Sequence, residues 1–189
     1  MKNHILAIVL LFFYIISSYG QNRWAFIIGL SEYRNFRGKL PTIRYAENDA
    51  YSIAKLLKSD FCRFDPDRVF LITGNEVTDD NIRRIMSEKL SQTSSEDFIF
   101  ILFIGHGIFK DDSYYLLLKD SLAEYIPQTS VSLKEFGSLL DTYVKANNLF
   151  VCIDANRSEE ALDGNWYTGF SWITPIINKK ICVLQASAP

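Results

Sequence analysis

Apolar positions along the chain fall into two patterns. Unbroken runs rich in aromatic and β-branched residues occur at Trp24-Ala25-Phe26-Ile27-Ile28, Val69-Phe70-Leu71-Ile72, Phe98-Ile99-Phe100-Ile101-Leu102-Phe103-Ile104, Leu149-Phe150-Val151-Cys152-Ile153 and Ile181-Cys182-Val183-Leu184. Such runs read as strands buried on both faces, as in a parallel sheet. Between them the spacing changes to that of helices. From Ile43 onward, Tyr45, Ala46, Ala50, Ile53, Ala54, Leu56 and Leu57 fall on one side, with Glu47, Asn48, Lys55 and Lys58 on the other. Thr78-Asp79-Asp80-Asn81 has the cap and acidic first turn of a helix start, and Ile82, Ile85, Met86 and Leu90 supply its stripe. Ser132 caps a third helix that buries Leu133, Phe136, Leu139, Leu140 and Tyr143. Residues 114–118 read as a hairpin arm or a small side strand. The alternation predicts an α/β fold, a three-layer sandwich whose mostly parallel central sheet is flanked by helices.

The run at 98–104 is the strongest candidate for the centre of that sheet. Each of its side chains contributes roughly 1.5–3 kcal/mol when taken out of water. It is expected to stop at Gly105-His106-Gly107, where glycines let the backbone turn sharply and leave room beside the imidazole. The crevice outside the carboxyl ends of such strands is where open α/β sheets bind ligands. A histidine delivered there can serve as acid or base near neutral pH. A tight turn with an incidental histidine fits the same residues. The next strand ends on a second suggestive segment, Asp154-Ala155-Asn156-Arg157-Ser158.

Composition narrows the setting. The first twenty of the 189 residues carry a short basic start, an apolar run from Ile5 to Ile16 and small residues before Gln21. They are expected to be a secretory signal peptide, leaving residues 21–189 as one domain in a secreted or periplasmic protein. The apolar run is too short for a confident span, and no later segment approaches the roughly 18–20 residues one needs, so no membrane contact is expected after cleavage. An uncleaved anchor is the alternative. The chain's formal charge is −2, and loss of Lys2 takes it near −3, with basic residues scattered rather than clustered. No electrostatic footprint for nucleic acid is present. Cys62, Cys152 and Cys182 are an odd set with two members inside apolar runs, which argues against a disulfide framework and for buried small hydrophobes.

Five segments in order carry a family resemblance. They are Trp24-Ala25-Phe26-Ile27-Ile28-Gly29 with Tyr33 and Asn48-Asp49-Ala50 after it, the Gly-His-Gly strand end, Tyr115-Leu116-Leu117, Asp154-Ala155-x-Arg157-Ser158, and Gln185-Ala186-Ser187-Ala188-Pro189. Together they resemble the caspase-like cysteine peptidases, in particular the metacaspase and bacterial branches. The resemblance implies a histidine–cysteine dyad, in which a thiolate attacks the peptide carbonyl and backbone amides stabilise the oxyanion. His106 matches the dyad histidine and the Gly107 amide an oxyanion donor. The cysteine's position is occupied by Asn156, and a carboxamide cannot ionise to a nucleophile near neutral pH.

The expectation is therefore a pseudo-peptidase, with an active endopeptidase cutting after Arg or Lys as the alternative. Three residues are candidate stand-ins for the nucleophile, and none is well placed. Cys152 lies about 13 Å back along the strand, Cys182 is within the last strand, and Ser158 has no base assigned to it. In the metacaspase branch two acids hold the basic residue before the scissile bond. Asp154 matches one and Asp49 the other, so a basic peptide or protein is the expected partner. An exposed helix acid and a strand-end cap are the ordinary roles for these two. Trp166 and Trp172 can line a groove or simply anchor their loop. No metal site is expected, since His106 has no second histidine in the mature chain. Asp111-Asp112 offers a calcium possibility, although adjacent loop acids are usually just solvated. Family domains continue past the Ala-Ser-x-Pro segment, so the fold is expected to lack its last strand and to leave residues 181–185 as an edge open to dimerisation.

Overall fold

The structure, a computed structural model, describes residues 22–36, 40–157 and 178–186. The expected leader, Ser158, Trp166, Trp172 and residues 187–189 lie outside the described residues.

A mixed sheet of seven strands forms the middle layer. Five strands run parallel in the order β2-β1-β3-β6-β7: β1 (Arg23–Gly29), β2 (Val69–Thr73), β3 (Phe98–Lys110), β6 (Asn148–Arg157) and β7 (Lys180–Ala186). Two short strands, β4 (Ser113–Leu116) and β5 (Val131–Ser132), join antiparallel beyond the end of β1. The helices are α1 (Ala46–Leu57), α2 (Asp79–Glu88), α3 (Ile126–Thr129) and α4 (Leu133–Tyr143). Of these, α3 and β5 were not evident in the sequence pattern. The caps fall where expected: Thr78 Oγ1 accepts from the Asn81 amide at 3.3 Å, and Ser132 Oγ from the Glu135 amide at 3.1 Å.

Each face of the sheet carries its own apolar cluster. On one, Ala46, Ala50, Ala54 and Leu57 of α1 pack on Ala25, Ile27, Phe98, Phe100 and Leu102. On the other, Ile82 and Met86 of α2 join Phe136 and Leu140 of α4 over Phe26, Ile28, Ile99, Ile101 and Phe103. Small residues set the spacing of α1. A Cβ added at Gly29 would sit 2.6 Å from Ala50 Cβ and 2.8 Å from the Ala46 carbonyl oxygen.

The central strand is longer than its apolar run. It does not stop at Gly105-His106-Gly107 but continues to Lys110, then folds back through Asp111 and Asp112 into β4. Both aspartates adopt left-handed backbone, with φ of 49° and 58°, which suits a two-residue primed hairpin turn. The glycines are therefore required by close approach, not by a turn. At Gly105 a Cβ would stand 2.6 Å from the Tyr33 hydroxyl, and at Gly107 it would collide with the Tyr114 hydroxyl. Strand β6 likewise runs past Asp154 to Arg157.

One buried acid ties the start of the sheet together. Asp97, 2% exposed, accepts hydrogen bonds from the Asn22 amide at 3.1 Å, the Trp24 indole at 3.0 Å and the Ser94 amide at 2.9 Å. Burial opposes its ionisation, yet the hydrogen bonds from Ser94, Trp24 and Asn22 outweigh burial and hold the carboxyl below its ordinary range. A depressed carboxyl adds stability that is present above its unfolded value, near pH 4, and is lost as pH falls through the folded value. Asp97→Asn is expected to cost about 1–3 kcal/mol in urea denaturation at pH 7. The gap between variant and parent should narrow below about pH 4.

Candidate functional site

The site begins where the β1 ladder runs out. On that edge of β3 the pairing with β1 ends at Ile104, whose carbonyl accepts from the Leu30 amide at 2.9 Å, and β4 takes over at Gly107. His106 lies in the gap and is fully buried. Its backbone N–H would be orphaned there, and such groups are costly. The Tyr33 hydroxyl supplies the missing acceptor at 2.7 Å, while the His106 carbonyl accepts from the Leu117 amide at 3.0 Å. Tyr33 also lays its ring 5.0 Å from the imidazole at 61°. Burial raises the Tyr33 phenol well above its ordinary value against the opposing hydrogen bond from His106, so it stays neutral.

The imidazole is oriented by a backbone carbonyl. His106 Nε2 lies 2.7 Å from the Pro41 oxygen. A carbonyl can only accept, so Nε2 carries the proton, and in the neutral ring Nδ1 holds the lone pair. Neither role, for Tyr33 or for Pro41, is marked by a sequence signal. Tyr33 enters the sequence reading only through the family resemblance, and no motif marks Pro41.

Register brings the other site positions together. In the β3–β6 ladder His106 pairs with Asn156, Gly107 with Arg157 and Ile104 with Asp154. Adjacent strands stand about 4.8 Å apart, so positions 106 and 156 are immediate neighbours. Gly107 is buried, with Leu116 as its partner on the opposite side. Asp49 is exposed in the first turn of α1, and Asp154 is exposed on β6. Desolvation raises the Asp154 carboxyl above its ordinary value, and the negative charge of Asp49 raises it further.

Two of the thiols, Cys152 and Cys62, are poor nucleophiles. Cys152 is pushed up to about 12 by desolvation, then by Asp154 and Cys182. Cys62 is buried, and desolvation raises it against the opposing charge of Arg23. Asp111 and Asp112 are exposed at the tip of the β3–β4 hairpin. Among the described residues no group of three or more His, Cys, Asp or Glu side chains is arranged to hold a metal ion.

Comparison with known proteins bears on the family and the fold. Residues 22–170 match the family model of the caspase domain. The fold is similar to the crystal structure of protein GSU0716 from Geobacter sulfurreducens, with 16% identity and a TM-score of 0.53. That match covers 72% of this chain and 49% of the other, so the chain spans about half the length of that protein, and the likeness concerns fold alone. No curated protein matches the chain.

If the Asp49 charge helps raise the Asp154 carboxyl, Asp49→Asn should move the Asp154 titration back toward the ordinary carboxylate range. Carbon-detected NMR titration of the side-chain carboxyls measures this directly. An unchanged Asp154 titration would show that the two acids do not interact.

Proposed function

Because the chain belongs to the caspase-domain family, we propose that it is a non-catalytic member that binds polypeptides through a basic residue. The reading rests on one juxtaposition: the position opposite His106 in the β3–β6 ladder carries Asn156. The family's dyad needs a thiol whose pKa a neighbouring imidazolium can lower to roughly 3–4. A carboxamide offers no ionisable atom and no electron pair of comparable nucleophilicity. Loss of a nucleophile can cost about 10⁶-fold in rate, judged from a serine protease series. Cys152 is no substitute, since a thiol pushed up to about 12 is protonated at neutral pH.

Recognition needs no nucleophile. Asp49 and Asp154 offer two carboxylates to one guanidinium or ammonium, and Arg is favoured by bidentate, charge-assisted hydrogen bonds. A bound cation offsets the repulsion between the acids and favours ionised Asp154. Binding should therefore strengthen as pH rises through the Asp154 titration. The leader expected over residues 1–20 would put this binding outside the cytoplasm.

Peptides carrying Arg or Lys are expected to bind the full chain without being cleaved, with Arg tighter than Lys. Asp154→Asn should weaken Arg-peptide binding by about tenfold, the loss of one charge-assisted contact. Isothermal titration measures the binding, and mass spectrometry of the peptide checks for turnover. Turnover abolished by His106→Ala would overturn the non-catalytic reading. Binding indifferent to Asp154→Asn would overturn the acidic pocket. Asn156→Cys supplies the missing thiol and is expected to confer measurable cleavage after Arg.

A further inference from the structure

A second cleft opens on the same rim of the sheet, on the other flank of the α1 N-terminus. It has a volume of about 440 Å³ and lies outside the carboxyl ends of β1 and β2. Arg34, Arg44 and Lys119 bring three cations to it against the carboxylates of Glu32 and Glu47. Neither guanidinium makes a hydrogen bond or ion pair among the described residues, and both side chains are exposed. Glu47 is already committed. Its Oε1 accepts from the Ser31 amide at 3.2 Å, and its own amide donates to Ser31 Oγ at 3.3 Å. Lys119 donates to the Glu32 carbonyl at 3.0 Å, which holds the ammonium at the rim with donors to spare. Tyr45 provides no side-chain cap, so the positive end of the α1 dipole adds to the field.

We infer that this cleft is a subsite for an acidic side chain of the same polypeptide whose basic residue sits between Asp49 and Asp154. The inference rests on the peptide-binding reading and adds a charge pattern to it. Spacing makes the pattern specific. The strand order β2-β1-β3-β6 separates Asp154 from the cleft by two to three strand widths, or about 10–14 Å. An extended peptide rises about 3.3 Å per residue, so the acid belongs about three to four residues from the base. One helix start then carries both halves: Asp49 on the acidic side, Arg44 and Asn48 on the cationic side.

The test uses the full chain and five peptides of equal length. They contain Arg alone, Arg with Glu four residues away in either order, Glu alone, or neither. In fluorescence anisotropy at low salt, adding Glu to the Arg peptide in one of the two orders is expected to tighten binding about 3- to 10-fold. The gain should shrink in 0.5 M salt and vanish in the Arg34→Ala/Arg44→Ala double variant. Both arginines are exposed, so thermal unfolding should match the parent. A gain of the same size in the double variant, or no gain in either order, overturns the subsite. Should Glu alone bind through Arg34 and Arg44 while Arg makes no difference, the cleft stands and the basic-residue reading fails.

Discussion

The register of the β3–β6 ladder is the constraint on which the site depends. Ten consecutive pairs, from Phe98 with Asn148 to Gly107 with Arg157, lock these strands together. Both strands are buried, so a slip by one residue would carry every apolar side chain to the wrong face of the sheet. Core packing thus fixes which residue stands beside His106. The same ladder sets Asp154 opposite Ile104, on the rim that Asp49 approaches from α1. The chemistry available at the crevice follows from hydrophobic burial many residues away.

In the proposed reading, the oriented histidine and the acid pair draw on different residues. His106 is held by the Tyr33 hydroxyl at its backbone and the Pro41 carbonyl at Nε2. The charge recognition proposed above would fall to side chains on the helix start and on β6. A change at position 156 removes the attacking atom without touching either set. The acid pair, the oriented imidazole and the packed core have no stake in sulfur, so the proposed binding does not depend on a thiol at position 156.

Much of the fold was legible in the chain. The five buried runs became the parallel strands, and Thr78 and Ser132 capped the helices they announced. The extent of β3 was not legible, because Gly-His-Gly has the look of a strand end. What carries the strand onward is tertiary: the Tyr33 hydroxyl where β1 runs out, and β4 folding back from Asp111 and Asp112. Asp97 was equally hidden, since a buried carboxylate is recognised only by its three donors. The pairing of position 106 with 156 came from family resemblance, and no periodicity contains it. Pro41 acts through its carbonyl, a group every residue has, so no sequence signal marks it.

The absence of an attacking atom at position 156 is the claim on which this view of the protein turns. Intact-mass spectrometry after incubation with a peptidyl-arginine acyloxymethyl ketone tests it most directly, because that probe alkylates only an activated thiolate held at a basic-residue pocket. The expected spectrum shows an unmodified chain and, in Asn156→Cys, a single adduct. A stoichiometric adduct on the parent chain that disappears in His106→Ala would contradict it.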